Sequence, residues 1–181
     1  MKVVNKITKI VAKFLEVVHW VGAALMVGVA ICAGVGAKEA LKHFADVGPF
    51  DGEIISAYGF EVSLINMKAL MMFAIGSVII FILVAMIFRN IYLIMKKSEG
   101  TTPFQKDNVR MVREIGIFSI AIPVIGLIMT IITRLVLGVD VIDAVDTSVN
   151  YSGFVMGIIM LSLSQIFAYG VQLEKDVDGM V

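Results

Sequence analysis

The sequence predicts an all-α fold: an integral membrane, antiparallel four-helix bundle with its N- and C-termini in the cytoplasm. Three observations carry that expectation. Four stretches, 17–37, 69–88, 115–133 and 147–173, contain no Asp, Glu, Lys or Arg. A helix advances about 1.5 Å per residue, so roughly 20 apolar residues cross a hydrocarbon core about 30 Å thick. The charged residues collect between these runs, the second connection mostly basic, the third acidic and the first mixed. Four such runs within 181 residues leave almost nothing for a separate soluble domain, so lipid must be the solvent.

Composition agrees. Hydrophobic residues are 59% of the chain, charged residues 17% and the mean hydropathy is +0.96. Soluble domains run nearer 45–50% apolar and about 25% charged. Fifteen bases balance fifteen acids, so no bulk field draws the chain directly to nucleic acid. Cys32, the only cysteine, cannot make an internal disulfide, a CxxC pair or a zinc site alone.

The elements are expected as one transmembrane domain with spans at about 14–37, 67–90, 115–137 and 150–172. Residues 1–16 read as a short interfacial helix continuous with the first span. Lys2, Lys6, Lys9 and Lys13 recur at helical spacing, and Val3, Ile7, Ile10 and Phe14 supply an apolar face. The run that follows exceeds the 7–15 residues of a secretory h-region, and Glu16 and His19 interrupt its start, which favours a retained first helix. Small residues repeat at four in that span: Ala24 and Gly28, Ala30 and Gly34, then Gly28, Cys32 and Gly36. Such spacing lets backbones approach closely. It predicts a central packing helix, the alternative being the dimerisation face of a homo-oligomer.

The loop 38–66 is expected outside. Lys38 to Phe44 reads as a helical continuation, Asp46 to Gly52 is dense in turn residues, and the β-branched and aromatic stretch from Glu53 to Val62 can fold over the mouth. Before the third span, Thr102, Pro103, Phe104 and Gln105 spell a capping box with proline at the first helical position. That predicts a basic amphipathic cytoplasmic helix at 102–114. Pro123 should kink the third span, because it removes a backbone bond.

Charge sets the expected topology. The first segment carries four lysines, and 89–114 carries Arg89, Lys96, Lys97, Lys106, Arg110 and Arg113. The third connection holds only the acids Asp140, Asp143 and Asp146. Lys and Arg accumulate in the cytoplasm, so the N-terminus, the second connection and the tail belong inside, in a multi-pass protein of the cell (inner or plasma) membrane.

Ionisable groups at membrane depth are costly and turn toward the protein interior or water. Glu16 and His19, one turn apart, lie at a depth comparable to Gln165 and Tyr169 and can form one cytoplasmic-side polar cluster. The plainer alternative puts Glu16 among headgroups and makes His19 a structural histidine, although its ordinary pKa near 6.5 also suits a proton relay. Toward the outside, Tyr58, Glu61, Lys68, Arg134, Asp140 and Tyr151 fall at one level. They read either as ion pairs closing the mouth or as a ligand vestibule.

Several chemistries are excluded. No P-loop, HExxH or GxSxG is present, and His19 and His43 cannot supply the paired axial ligands of a di-haem bundle. The twelve methionines lack the additional His and Cys partners of a copper path and read as packing. No cofactor or metal is expected.

Two segments, 102–116 (TPFQKDNVRMVREIG) and 166–178 (IFAYGVQLEKDVD), resemble a bacterial four-helix membrane family catalogued as domain of unknown function 2975. The matching positions are Pro103, Phe104, Asn108, Val109, Arg113, Ile115 and Gly116, then Phe167, Gly170, Leu173, Asp176 and Asp178. The span layout agrees over essentially the whole chain, while the first outer loop matches only loosely. The resemblance implies no established activity. It does imply a regulatory partnership, because such proteins are often encoded beside a small Cro/C1-type helix-turn-helix regulator. The corresponding docking surface would use these positions together with Arg110, although Arg110 and Arg113 equally suit anionic lipid heads. The expected function is a non-enzymatic membrane sensor or regulator. The alternative is a small transporter, permease component or immunity-type protein.

Overall fold

A computed structural model describes residues 2–35, 54–57, 60–63, 67–99, 102–137 and 151–178. Four long helices dominate it: α1 (Lys2–Gly34), α2 (Met67–Lys97), α3 (Lys106–Leu137) and α4 (Tyr151–Asp178). They contain 33, 31, 32 and 28 residues. At about 1.5 Å per residue each exceeds the roughly 30 Å of a hydrocarbon core. All four are apolar enough, as well as long enough, to cross a membrane. The chain is a multi-pass membrane protein.

The all-α expectation needs one amendment. Strands β1 (Ile54–Ala57) and β2 (Phe60–Ser63) pair antiparallel, with Ile54 opposite Ser63 and Ala57 opposite Phe60. β-branched residues favour such a pleated pairing. The expected helical continuation at 38–44 and the turn at 46–52 lie outside the described residues.

Helix ends differ from expectation where local chemistry is ambiguous. α1 does run unbroken from Lys2, its interfacial stretch continuous with its span as expected. α3 begins at Lys106, later than the capping-box reading allows. The Thr102 hydroxyl accepts from the Phe104 N–H (3.1 Å), two residues on. The first helical carbonyl is that of Gln105, which accepts from Val109 N–H at 3.1 Å. Thr102 thus closes a local turn of the kind that competes with helix starts. α3 continues through Pro123.

Contacts divide the chain into two compact units. The first comprises Met1–His19, Leu83–Ala121 and Ser152–Val181. Here α1 meets α2 through Lys9 with Glu99, Lys13 over the Tyr92 ring and His19 against Phe88. As numbers rise on α1 they fall on α2, so the two are antiparallel. Asn90 with Glu114 and Lys97 with Asp107 give α2 and α3 the same relation. Between α3 and α4, Gly116 and Gly157 put backbone on backbone: a Cβ on Gly116 would lie 3.0 Å from the Gly157 carbonyl oxygen. Phe104 meets Gly170 and Ile120 meets Gly157, so these helices also run oppositely.

The second unit comprises Trp20–Ile82 and Ile122–Tyr151. The Phe81 ring rests on Gly22, Met71 reaches Gly34, and Met129 covers Gly76. The hydroxyls of Thr130 and Thr133 donate to the carbonyls of Gly126 and Met129, four residues back. Side-chain bonds of this kind let polar residues sit buried in an apolar helix.

Large apolar residues such as Leu70, Phe73 and Ile80 are buried, yet many others face outward, unlike in a water-soluble protein. Ala12, Ala23, Ala33, Ala74, Ala85, Ser77, Ser119 and Ser164 are buried. Phe14, Trp20, Ile31, Leu127 and Ile158 are exposed. Small residues at helix contacts and many large apolar residues left outside suit lipid-solvated packing, since hydrocarbon gives little reason to hide a leucine. The small-residue reading of α1 is corrected in part. Its buried positions are Ala12, Glu16, Ala23 and Ala33, whereas Ala24 and Gly28 are exposed.

The glycine contacts yield a paired test by thermal unfolding in detergent. Gly157→Ala would put a Cβ 2.3 Å from Ile120 Cγ1 and 2.8 Å from the Gly116 carbonyl oxygen. Its midpoint should fall, at an overpacking cost of about 1–3 kcal/mol. Among the described residues nothing lies within 4 Å of a Cβ on Gly28, so Gly28→Ala should leave the midpoint unchanged or raised. Equal losses would contradict this account of the α3–α4 seam.

Candidate functional site

The polar chemistry of the first unit is built at the end of α2, the turn after it, the start of α3 and the end of α4. Asn108, in the first turns of α3, is fully buried. Its Nδ2 donates to Ser98 Oγ (3.2 Å) and to the Pro103 carbonyl (3.0 Å), tying both sides of the α2–α3 turn together. The Pro103 carbonyl can only accept, which fixes the amide orientation and points Oδ1 the other way. That oxygen is buried and has no hydrogen-bond partner among the described residues.

Beside this clamp the turn grips α4. A Cβ on Gly170 would lie 2.3 Å from Phe104 Cδ1, so only glycine leaves room for the ring at this distance. The opposite part of the cradle is Phe167, whose ring centroid is 5.6 Å from that of Phe104 at 57°, a tilted aromatic contact. Thr102 Oγ1 donates to Glu174 Oε2 at 3.4 Å. Two segments far apart in sequence thus make one joint. Of the proposed docking residues, Pro103, Phe104, Asn108 and Gly170 come together here. Arg110, Arg113, Leu173 and Asp176 are exposed, and the side chain of Asp178 lies outside the described residues.

One helical turn further into α3, Glu114 holds two partners. Asn90 Nδ2 donates to its Oε2 at 3.0 Å, and Arg110 Nε lies 3.7 Å from its Oε1. Sequence reading missed this pair. The available signal was heptad spacing: Asn90 and Lys97 on α2, Asp107 and Glu114 on α3, each seven apart and therefore on one face.

The Glu16 and His19 cluster has a definite local geometry. Glu16 is buried and pairs with Lys13 at 2.9 Å, while Lys13 Nζ lies 5.5 Å from the Tyr92 ring centroid. A base shared between a buried carboxylate and an aromatic face compensates an acid that burial alone would make costly. His19 Nδ1 donates to the Leu15 carbonyl at 2.7 Å, and its ring lies 5.3 Å from that of Phe88. Gln165 and Tyr169 are exposed, unlike Glu16, so burial does not group the four.

Of the outer cluster, Lys68 and Tyr151 are exposed helical residues. Glu61 stands opposite Ser56 in the hairpin, and Arg134 lies in α3, the side chains of both being outside the described set. Tyr58 and Asp140 lie outside the described residues. Among the described residues, no group of three or more His, Cys, Asp and Glu is placed to hold a metal ion.

No protein-family model matches the chain, and neither the curated proteins nor the solved structures contain a significant match.

The Asn108 clamp makes a graded prediction. Asn108→Ala removes both Nδ2 bonds and strands the Ser98 and Pro103 oxygens, a loss of about 1–3 kcal/mol. Asn108→Asp keeps the shape but replaces the donor with a buried charge facing a carbonyl, and should lower the unfolding midpoint further than Ala. An aspartate variant as stable as wild type would refute the clamp.

Proposed function

We propose that this chain is a non-enzymatic sensor or regulator of the cell (inner or plasma) membrane, folded as a single antiparallel four-helix bundle with both termini in the cytoplasm. A ligand on the outer side or within the membrane shifts helix packing. The surfaces at 96–116 and 167–181 pass that shift to a soluble cytoplasmic partner. The supporting observation is the joint at Phe104, where the α2–α3 turn and the end of α4 are locked in one contact. Movement of any helix feeding this joint must move the others, and the joint lies beside exposed Arg110, Leu173 and Asp176.

The basic second connection set against the acidic third supports this orientation, with the joint on the cytoplasmic side. The resemblance of the same two segments to a four-helix family encoded near helix-turn-helix regulators supports a small regulator of that type as the partner. A transporter remains the competing reading of the outer polar residues, and flux in proteoliposomes abolished by changing Arg134 or Gln165 would favour it.

Extraction in mild detergent with a purification tag tests the proposal. A specific soluble protein should accompany the wild-type chain, with recovery reduced about fivefold or more by Leu173→Ala at the exposed edge, a loss of about 1 kcal/mol of binding. Absence of any retained soluble protein under every condition would overturn it.

A further inference from the structure

The α2–α3 seam places four unpaired cations on one face, and we infer that this face binds the head of an anionic phospholipid. The contacts Asn90 to Glu114 and Lys97 to Asp107 define the seam. In an antiparallel pair, the residue preceding each seam position falls on the same side for both helices. Those residues are Arg89 and Lys96 on α2, and Arg113 and Lys106 on α3. Arg89 stands level with Arg113 and Lys96 with Lys106, the two levels about 10 Å apart along the helices. All four are exposed, and none has an ion-pair partner among the described residues.

The neighbouring acids are otherwise engaged. Glu99 pairs with Lys9, Asp107 with Lys97 and Glu114 with Arg110. Helix axes 8–10 Å apart bring side chains of the two arginines within reach of one anion. Four like charges so arranged repel unless an external anion sits among them.

Depth selects the anion. Arg89 ends the uncharged run of α2, and Arg113 adjoins Glu114, which borders that of α3, so both stand at the phosphate level of a leaflet. Their planar forks match phosphate oxygens, whereas the lysines further out act as point charges that attract an anionic head. The first turn of α3, beginning at Lys106, adds the positive end of its helix dipole. The inference needs only a membrane-spanning chain and stands whether or not a protein partner is found.

The full chain, stripped of lipid in neutral detergent, is titrated with phosphatidylglycerol, phosphatidylcholine and inorganic phosphate, and bound lipid is counted by native mass spectrometry. One phosphatidylglycerol per chain should be retained in preference to phosphatidylcholine. Arg89→Gln with Arg113→Gln should weaken it about 25-fold, from about fivefold per cation, while Lys68→Gln at the start of α2 changes nothing. If the arginine variant does not fold, Lys96→Gln with Lys106→Gln must weaken binding similarly. Displacement of the lipid by inorganic phosphate, equal retention by the double variants, or an equal fall from Lys68→Gln would each overturn the assignment.

Discussion

In hydrocarbon an amide has no water to bond, so the backbone must satisfy itself, and helices do this within one segment. The rest of this molecule depends on that constraint. It explains four helices of 28 to 33 residues. Glycine, alanine and hydroxyl residues line the close helix contacts, and Leu70, Phe73 and Ile80 are buried as well. Where lipid is as apolar as leucine, helices gain by close approach, and Gly116 on Gly157 is the closest approach described between α3 and α4. The hydroxyls of Thr130, Thr133 and Ser164 bond carbonyls of their own helices, so these three buried donors are satisfied within the protein.

Polarity enters where the helices outrun the apolar runs. Lys9 with Glu99, Lys97 with Asp107 and Asn90 with Glu114 form successive links along the first unit. Exposed ion pairs contribute little stability individually. Their value here is register: each fixes which turn of one helix faces which turn of the next. The buried Asn108 and the Phe104–Gly170 contact then fix the turn between α2 and α3 against α4. Packing, register and the candidate docking surface are thus parts of one arrangement.

The spans were legible because length and composition alone decide them, and Lys68, Arg89 and Glu114 mark their margins plainly. The two segments 102–116 and 166–178 stood out in sequence, yet their mutual contact did not, since a glycine's partner is set by tertiary packing. Asn108 was marked as a docking residue and is a buried clamp. The Thr102–Gln105 box was misleading because a threonine can cap a helix or close a turn with the same hydroxyl, and only tertiary context chooses. Ala24 and Gly28 matched a packing motif while Ala23 and Ala33 took the buried places, an ambiguity inherent in a helix with small residues all round.

The central claim is that lipid covers the exposed apolar surface of all four helices. In a Cys32→Ser background, spin labels at Val21, Ile79, Ile128 and Ile158, each exposed, can be read in vesicles with oxygen and a water-soluble nickel chelate as relaxing agents. The account predicts strong relaxation by oxygen and little by nickel at all four positions. Nickel accessibility equal to that of a label in free water, at any one of the helices, would contradict it.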